Sequence, residues 1–542
     1  MNSKFRFRQH DNIGVADAEQ DQDFLRKCFV DNGEVAILSN PRDPRRIALG
    51  RTGAGKTALL LHFSENTSRV IEIKPESLAL AYISNSTILQ FVNQLGVNLN
   101  IFFKLLWRHV FTVEILKAHF HLESERATLN LIDRLTSLFS GKNQRHAQAL
   151  NYLQKWGSTF WEETDYRIKE LTTKLESDLK ASIGGSSIPL PISVSAGGSL
   201  SEEQKREVVH RAQHVVNDVQ IRQLSDMIEL IDEVLDDCER PYFVVIDRLD
   251  EDWVEDKLRI LLIRALIETI REFGKVRHAK IIIALRYDLL DRVIRLTRDA
   301  GFQEEKYESL YLNLEWTSSS LTALLDARID KLVRSRYTTA TVTHRDLLPT
   351  HINKCSSIDY IVQRTLMRPR DIILFFNLCI AQAKDTPKIT VQMVRQAEGE
   401  YSRLRLRSLA DEWQSTFATL LSFAAILKNS PPQFPLEYLT DEKCIELCLR
   451  MAEEELGSVD ELSSAARRYI DGSISCAEFR QCLAAVLYRV GLVGLKLEHY
   501  EAPSWSITSR RSVSISEIRP NTRIAVHPCF WRALGIQEAV RL

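Results

Sequence analysis

The sequence lacks a large net charge, a long hydrophobic run and a paired cysteine pattern. Its 542 residues include 71 Lys and Arg against 72 Asp and Glu, so the formal net charge is -1. No global field therefore draws the chain to nucleic acid or to an anionic membrane, and a DNA contact needs a local patch. No run of about 18 apolar residues occurs, so no membrane span is expected.

Cysteine usage and the N-terminal residues predict a cytoplasmic protein. The nine cysteines are scattered, and the close pair Cys444 and Cys448 has no second Cys or His pair at zinc spacing. Dispersed thiols suit a reducing compartment. The first residues contain no apolar core of a secretory signal, so none is expected. The length predicts three or four domains.

One stretch carries a specific phosphate-binding motif. Residues 47–63 are IALGRTGAGKTALLLHF, which fits G-x-x-x-x-G-K-[ST] at every fixed position. Glycines let backbone amides turn toward phosphates, Lys56 is expected to reach the β- and γ-phosphates, and the Thr57 hydroxyl is expected to bind Mg²⁺. An apolar run before the motif predicts a buried strand, and TALLLHF predicts a helix whose N-terminus favours anions. The predicted nucleotide-binding residues here are Gly50, Arg51, Thr52, Gly53, Ala54, Gly55, Lys56, Thr57 and Ala58.

A second cluster supplies carboxylates. Residues 241–253 are PYFVVIDRLDEDW, an apolar run followed by acidic side chains. Carboxylates at the carboxyl edge of a sheet are suited to Mg²⁺ binding and to water activation. We assign Asp247 to Mg²⁺. Glu251, with Asp250 as the alternative, is expected to polarise the attacking water.

A third strand, AKIIIALR, ends at Arg286, which either senses the γ-phosphate or caps the sheet edge. The Asp-Arg-Leu-Asp-Glu pattern of residues 247–251, together with an arginine that ends the next strand, looks like the STAND NTPases and the origin-recognition-like AAA+ ATPases. The Asp-Arg-Leu-Asp-Glu box also resembles a set of bacterial P-loop ATPases that share it and are often found near anti-phage defence genes. The run DAEQDQDFLRKCFV at residues 17–30 is similar to the same group. Ordinary AAA+ proteins place Glu directly after the Mg²⁺ aspartate, where this chain has Arg248. The base is therefore assigned to Glu251.

The resemblance implies further features. In the resembling AAA+ families a lid helix opens with an arginine that reaches the nucleotide, and Arg368 or Arg370 fits that role. The alternative is a solvated charge cluster at a helix start. The resemblance also implies ATP as the nucleotide, oligomerisation on ATP binding and an arginine supplied by a neighbouring subunit.

The spacing between the motifs predicts the domain organisation. Lys56 and Asp247 lie about 190 residues apart, far more than two crossovers need. The intervening residues show helical periodicity, and a helical insertion there is either a sensor or partner-binding arm or a structural brace. The predicted parts are an ATPase core at 1–85 and 237–315, a helical insertion at 86–236 with a Gly/Ser-rich loop or hairpin near 184–200, a helical lid at 316–407, and a C-terminal helical and winged-helix-like domain at 408–542.

The C-terminal part is expected to be helical to about residue 490 and then to form a hairpin. This hairpin carries basic side chains that could grip DNA phosphates without reading sequence. The alternative is a protein-interaction or autoinhibitory module. The arginines concerned are Arg510, Arg511, Arg519 and Arg523.

These observations predict an α/β P-loop NTPase with an AAA+/STAND-like parallel sheet core. We expect Mg²⁺-dependent ATP hydrolysis that drives a conformational switch, and the resemblance suggests a role in bacterial anti-phage defence. Self-association or partner proteins of the same operon are expected, and no membrane contact. One alternative is a DNA-binding ATPase of the origin-recognition type. The other is a low-turnover, nucleotide-bound scaffold, which Arg248 keeps open.

Overall fold

The computed structural model separates into two compact units. The described residues are 5–77, 99–122, 143–157, 160, 218–236, 240–297, 303–334, 339–454, 460–498, 500–508 and 513–537. The helical unit comprises Met1–Asn32, Thr52–Ala58 and Leu314–Leu542, and the sheet unit comprises Gly33–Arg51 and Leu59–Asn313.

The helices account for most of the regular structure. In chain order the described α-helices are α1 Gln22–Cys28, α2 Glu34–Ser39, α3 Lys56–Asn66, α4 Asn100–His119, α5 Gln144–Trp156, α6 Asp218–Leu235, α7 Asp256–Glu272, α8 Tyr287–Thr297, α9 Ser318–Arg334, α10 His344–Leu347, α11 Ser357–Gln363, α12 Pro369–Gln382, α13 Val391–Trp413, α14 Leu420–Ala424, α15 Asp441–Glu454, α16 Glu461–Ile470 and α17 Cys476–Val490. None of these helices combines the length and hydropathy needed to cross a membrane.

A five-stranded sheet forms the centre of the sheet unit. Its strands are β1 Ile47–Gly50, β2 Val70–Ile73, β3 Tyr242–Ile246, β4 Ala279–Arg286 and β5 Tyr311–Asn313. Their order is β2-β3-β4-β1-β5, and every pairing is parallel. Strands β1 and β3 are buried along their whole length, as the continuous apolar runs predict for a parallel sheet covered on both faces.

The register brings three strand ends to one edge. Gly50 at the end of β1 pairs with Arg286 at the end of β4, and Ile246 at the end of β3 pairs with Ile283. Strand β4, which ends at Arg286, lies between β1 and β3. Strand β1 leads into the phosphate loop, and β3 leads into Asp247. This carboxyl edge is where open α/β sheets bind ligands.

Part of the predicted insertion belongs to the sheet unit and packs on its helix α7. The Trp107 indole on α4 donates a buried hydrogen bond of 2.9 Å to the Leu262 carbonyl on α7. Lys104 on α4 lies 2.7 Å from Glu272 and 3.4 Å from Glu268, both on α7. Helix α4 is therefore braced against the core. The Gly/Ser-rich stretch 184–200 lies outside the described residues.

The N-terminal segment belongs to the helical unit. Asn377 on α12 accepts a hydrogen bond of 2.9 Å from the Ile13 amide and donates one of 2.8 Å to the Gly14 carbonyl. Arg328 on α9 pairs with Asp21 at 2.6 Å, and both side chains are buried. These contacts fix the segment before α1 against helices α9 and α12 of the predicted lid.

The C-terminal residues combine helices with a small antiparallel sheet. Its strands are β8 Gln433–Pro435, β9 Val493–Lys496 and β10 Arg523–Val526, in the order β8-β10-β9; a separate hairpin is formed by β6 His351–Ile352 and β7 Cys355–Ser356. Strand β8 falls in a stretch that periodicity predicted to be helical. The surrounding PPQFP sequence explains the difference, since proline lacks the amide that a helix interior needs.

Candidate functional site

The phosphate loop connects β1 to α3. The chain leaves the sheet at Gly50, and α3 begins at Lys56. Gly53 and Gly55 have φ angles of +79° and +97°, in the left-handed region that favours glycine. The loop thus has the glycine-dependent backbone and the adjoining helix N-terminus that a bound phosphate group requires.

Residues of the helical unit, to which Thr52–Ala58 also belong, donate hydrogen bonds to the backbone carbonyls of this loop. The Trp316 indole nitrogen donates to the Ala54 carbonyl at 2.9 Å. The Arg368 guanidinium donates to the Thr52 carbonyl at 2.8 Å, and the Arg370 amide donates to the Gly53 carbonyl at 3.4 Å. Three consecutive loop carbonyls therefore have donors from residues that lie well over 200 positions away in the chain.

The two predicted lid arginines differ in environment. Arg368 is 2% exposed, so it is not part of a solvated charge cluster, and its Nη1 lies 3.0 Å from Glu412. Arg370 is half-buried, and its Nε donates to the Ala16 carbonyl at 3.4 Å. Burial lowers the pKa of the Arg370 guanidinium, and nearby Arg405 acts in the same direction. Pro369 opens α12 between them, as the sequence predicts.

The carboxylate cluster follows β3. The Asp247 carboxylate accepts a hydrogen bond of 2.8 Å from the Arg248 amide. Arg248 has a φ angle of +60°, and its Nε lies 3.6 Å from the Glu251 carboxylate. Partial burial raises the pKa of Glu251, Arg248 lowers it, and the neighbouring carboxylates of Glu76 and Asp250 raise it. The net rise favours a carboxylate that can accept a proton.

Arg286 is held by two aspartates. Its Nε and Nη2 donate to the two Asp288 oxygens at 2.9 and 2.7 Å, and its Nη1 donates to Asp250 at 3.1 Å. Asp250 and Glu251 thus have different cationic partners, Arg286 and Arg248 respectively. The two candidates for the base are therefore electrostatically distinct.

Sequence reasoning missed three residues of this region. Asp288 follows Arg286 by two positions, so the local sequence held a signal for it. The local sequence held no signal for Trp316 or Glu412. Trp316 contacts Ala54 and Glu412 contacts Arg368, and both contacts join distant parts of the chain.

The predicted DNA-contacting arginines are described only in part. Arg519 and Arg523 are exposed, and Arg523 opens strand β10. Arg510 and Arg511 lie outside the described residues.

Of the comparisons with known proteins, one matches a helical segment and two span nearly the whole chain. Residues 319–410 match the FunZ-associated C-terminal helical domain, a range that runs from α9 through most of α13. The chain is 22% identical over 550 aligned positions to an 80.3 kDa protein of Escherichia coli K12 named for transposon gamma-delta, covering 97% of this chain and 67% of that protein. A solved structure, the Walker-type ATPase PABY2304 of Pyrococcus abyssi, is 13% identical with a TM-score of 0.35, over 94% of this chain and 96% of that one.

The parallel sheet and the phosphate loop after β1 define the fold class. The loop joins the end of a buried parallel strand to a helix N-terminus, and an acidic residue follows a second strand at the same sheet edge. The chain contains an α/β P-loop NTPase core.

Proposed function

We propose that the chain binds and hydrolyses ATP and acts as a nucleotide-driven conformational switch. One observation carries this proposal: three consecutive phosphate-loop carbonyls accept hydrogen bonds from Trp316, Arg368 and Arg370 within the same helical unit. A loop held in this way transmits a change in its own conformation to the helices that hold it.

The proposed binding residues come from the motifs. Loop amides between Gly50 and Ala58 and the Lys56 ammonium would bind the phosphates. Thr57 and Asp247 are the proposed Mg²⁺ ligands, and when bound Mg²⁺ neutralises charge on the phosphate oxygens. Half-buried Arg370, beside Gly53, is our choice for the arginine that contacts the nucleotide.

The proposed reaction is in-line attack of water on the γ-phosphorus. A bond forms between the water oxygen and phosphorus, the bond to the β–γ bridging oxygen breaks, and the water proton passes to Glu251. Asp250 is the alternative acceptor. Arg286 would then counter the negative charge that develops on the transferred group.

Phosphate release from Mg²⁺-ATP tests this proposal. We expect turnover in the wild type and its loss in Lys56→Ala and Asp247→Asn, with Asp252→Asn as a control on the same loop because its side chain is almost fully exposed. Absence of both turnover and bound nucleotide in the wild type would contradict the proposal. Nucleotide retained without turnover would favour the scaffold alternative.

The biological role is proposed by resemblance. The Asp-Arg-Leu-Asp-Glu box at residues 247–251 supports a part in anti-phage defence, with self-association or partner proteins of the same operon. Size-exclusion chromatography with light scattering, with and without ATP and Mg²⁺, tests the self-association. An unchanged mass in both conditions would count against ATP-dependent assembly.

A second candidate is a DNA-binding ATPase. Helices α15–α17 lie in the chain between strand β8 and strands β9 and β10, and this arrangement with the strand order β8-β10-β9 supports a winged-helix-like domain. Arg519 and Arg523 are exposed, and Arg523 opens strand β10. The Escherichia coli relative is also named for a transposon. Fluorescence anisotropy with duplex DNA should show binding that weakens with salt and is reduced in Arg519→Ala and Arg523→Ala but not in Arg450→Ala. DNA-independent turnover with no anisotropy change would exclude this candidate.

A further inference from the structure

We propose that Arg368 is a positioning residue that sets the conformation of the phosphate loop and connects it, through Glu412, to helix α13. This differs from the predicted role of Arg368, which is direct contact with the nucleotide. The connection to nucleotide binding rests on the proposed function, whereas the positioning of the loop does not.

Peptide geometry gives the first step. In a trans peptide the carbonyl of one residue and the amide of the next point in opposite directions, and no described peptide bond is cis. Holding the carbonyls of Thr52, Gly53 and Ala54 on one side therefore directs the following three amides to the other side. Amides turned to a common side form the kind of concave site that binds anions.

Burial gives the second step. Arg368 and Glu412 have side chains that are 2% and 3% exposed, and they lie 3.0 Å apart. The same Arg368 nitrogen donates to the Thr52 carbonyl at 2.8 Å. Removal of one partner would leave a buried charge that water does not compensate, so the pair and the carbonyl are expected to stay together.

Helix α13 gives the third step. Glu412 lies near the C-terminal end of this 23-residue helix. Ten positions earlier on the same helix, the Ser402 hydroxyl accepts a hydrogen bond of 2.9 Å from the Ala533 amide in the C-terminal segment. One helix thus carries both Glu412, the partner of Arg368, and Ser402, which binds the C-terminal segment, so a shift of α13 moves both contacts.

A matched pair in the same unit provides the control. Arg364 donates to Glu398 on α13 at 2.6 Å, and both side chains are 4% exposed. Arg364→Gln therefore removes a buried Arg–Glu pair of comparable burial, while Arg368→Gln removes the pair that also binds the Thr52 carbonyl. Both variants should lose stability, but only the second should disturb the loop.

The first readout uses the nucleotide-free full chain. Fluorine NMR of 5-fluorotryptophan protein, with the Trp316 resonance assigned by Trp316→Phe, reports on the residue that holds the Ala54 carbonyl. We expect Arg368→Gln to shift or broaden this resonance and Arg364→Gln to leave it unchanged. Arg368→Lys keeps the charge and should partly restore the signal, and it serves as the test if Arg368→Gln does not fold. Equal spectra for the Arg368 and Arg364 variants would overturn the positioning role.

The second readout is affinity for Mg²⁺-ATP by calorimetry. Arg368→Gln and Glu412→Gln should each weaken binding by about tenfold, with Arg364→Gln unchanged. If Glu412→Gln alters neither the Trp316 signal nor the affinity, the link through α13 is wrong. If the wild type does not bind ATP, the proposed function fails while the fluorine spectra still decide the positioning of the loop.

Discussion

Asp288 holds the Arg286 guanidinium by two parallel hydrogen bonds, with Nε 2.9 Å from one carboxylate oxygen and Nη2 2.7 Å from the other. Two parallel bonds fix the plane of a guanidinium as well as its position. Because Asp288 is in the first turn of α8 and Arg286 ends β4, the arginine is oriented at the carboxyl edge of the sheet. An arginine held in advance needs little reorganisation when charge develops nearby.

The first prediction concerns this orientation. Asp288→Asn keeps the shape of the side chain but removes its charge and one of its two acceptor oxygens. The plane of the Arg286 guanidinium is then no longer fixed by two parallel hydrogen bonds. We expect kcat for ATP hydrolysis to fall by about tenfold with little change in ATP affinity, since the effect falls on the transition state. Asp291→Asn is the matched control, because Asp291 pairs with Arg295 at 2.7 Å on the same helix. Equal kcat values for the two variants would contradict the prediction.

The second prediction concerns the base. Glu251→Gln should lower kcat by roughly 10²- to 10⁴-fold, the usual contribution of a general base. Because the pKa of Glu251 is raised, the acid limb of the wild-type kcat–pH profile should lie above that of an ordinary glutamate. Arg248→Ala removes a cation 3.6 Å away, so it should raise the pKa of Glu251 further and move the limb to higher pH. Near wild-type kcat in Glu251→Gln together with a large loss of kcat in Asp250→Asn would assign the base to Asp250.

The third prediction concerns the loop glycine. An added Cβ at Gly53 would lie 2.8 Å from the Arg370 Cβ, and the φ angle there is +79°. Gly472 has a φ of +78° with nothing within 4 Å, so Gly472→Ala imposes the same backbone strain without a clash. Both alanine variants should lose about 1 kcal/mol of unfolding free energy from strain. Only Gly53→Ala should also weaken ATP binding, by at least about tenfold; unchanged calorimetric affinity would show that the loop adapts.

Local sequence was sufficient for part of this site. The fixed positions from Gly50 to Thr57 predict the loop, and continuous apolar runs predict the buried strands β1, β3 and β4. These features depend on residues close together in the chain, where hydrophobic patterning and glycine spacing are informative.

Other contacts had no local signal. Arg368 and Thr52 are 316 positions apart, and Trp316 and Ala54 are 262 apart. Such pairs arise when separate segments pack, so neither periodicity nor a motif specifies them. The sequence predicted that an arginine opens α12, but only the packing distinguishes buried Arg368 from half-buried Arg370.

The fourth prediction concerns a lysine outside the nucleotide site. Lys280 on β4 is fully buried, and its ammonium nitrogen lies 2.7 Å from the Ile37 carbonyl and 2.8 Å from the Asn40 carbonyl at the end of α2. The pKa of Lys280 is lowered to about 7, chiefly by burial and then by the nearby Arg46 and Arg45, while Asp43 acts in the opposite direction. The unfolded chain therefore binds a proton here between about pH 7 and the ordinary lysine value, while the folded chain does not.

This difference makes stability rise with pH across that window, because the unfolded state binds more protons than the folded state. Lys280→Met has no titrating group, so the unfolding free energy of the wild type should increase relative to this variant from pH 7 to pH 10, by at most about 1.4 kcal/mol per pH unit. Urea denaturation across this range measures the difference, and Lys306→Met, at an exposed position, provides the control. Parallel pH curves for the wild type and Lys280→Met would show that the buried ammonium stays charged on its two carbonyls.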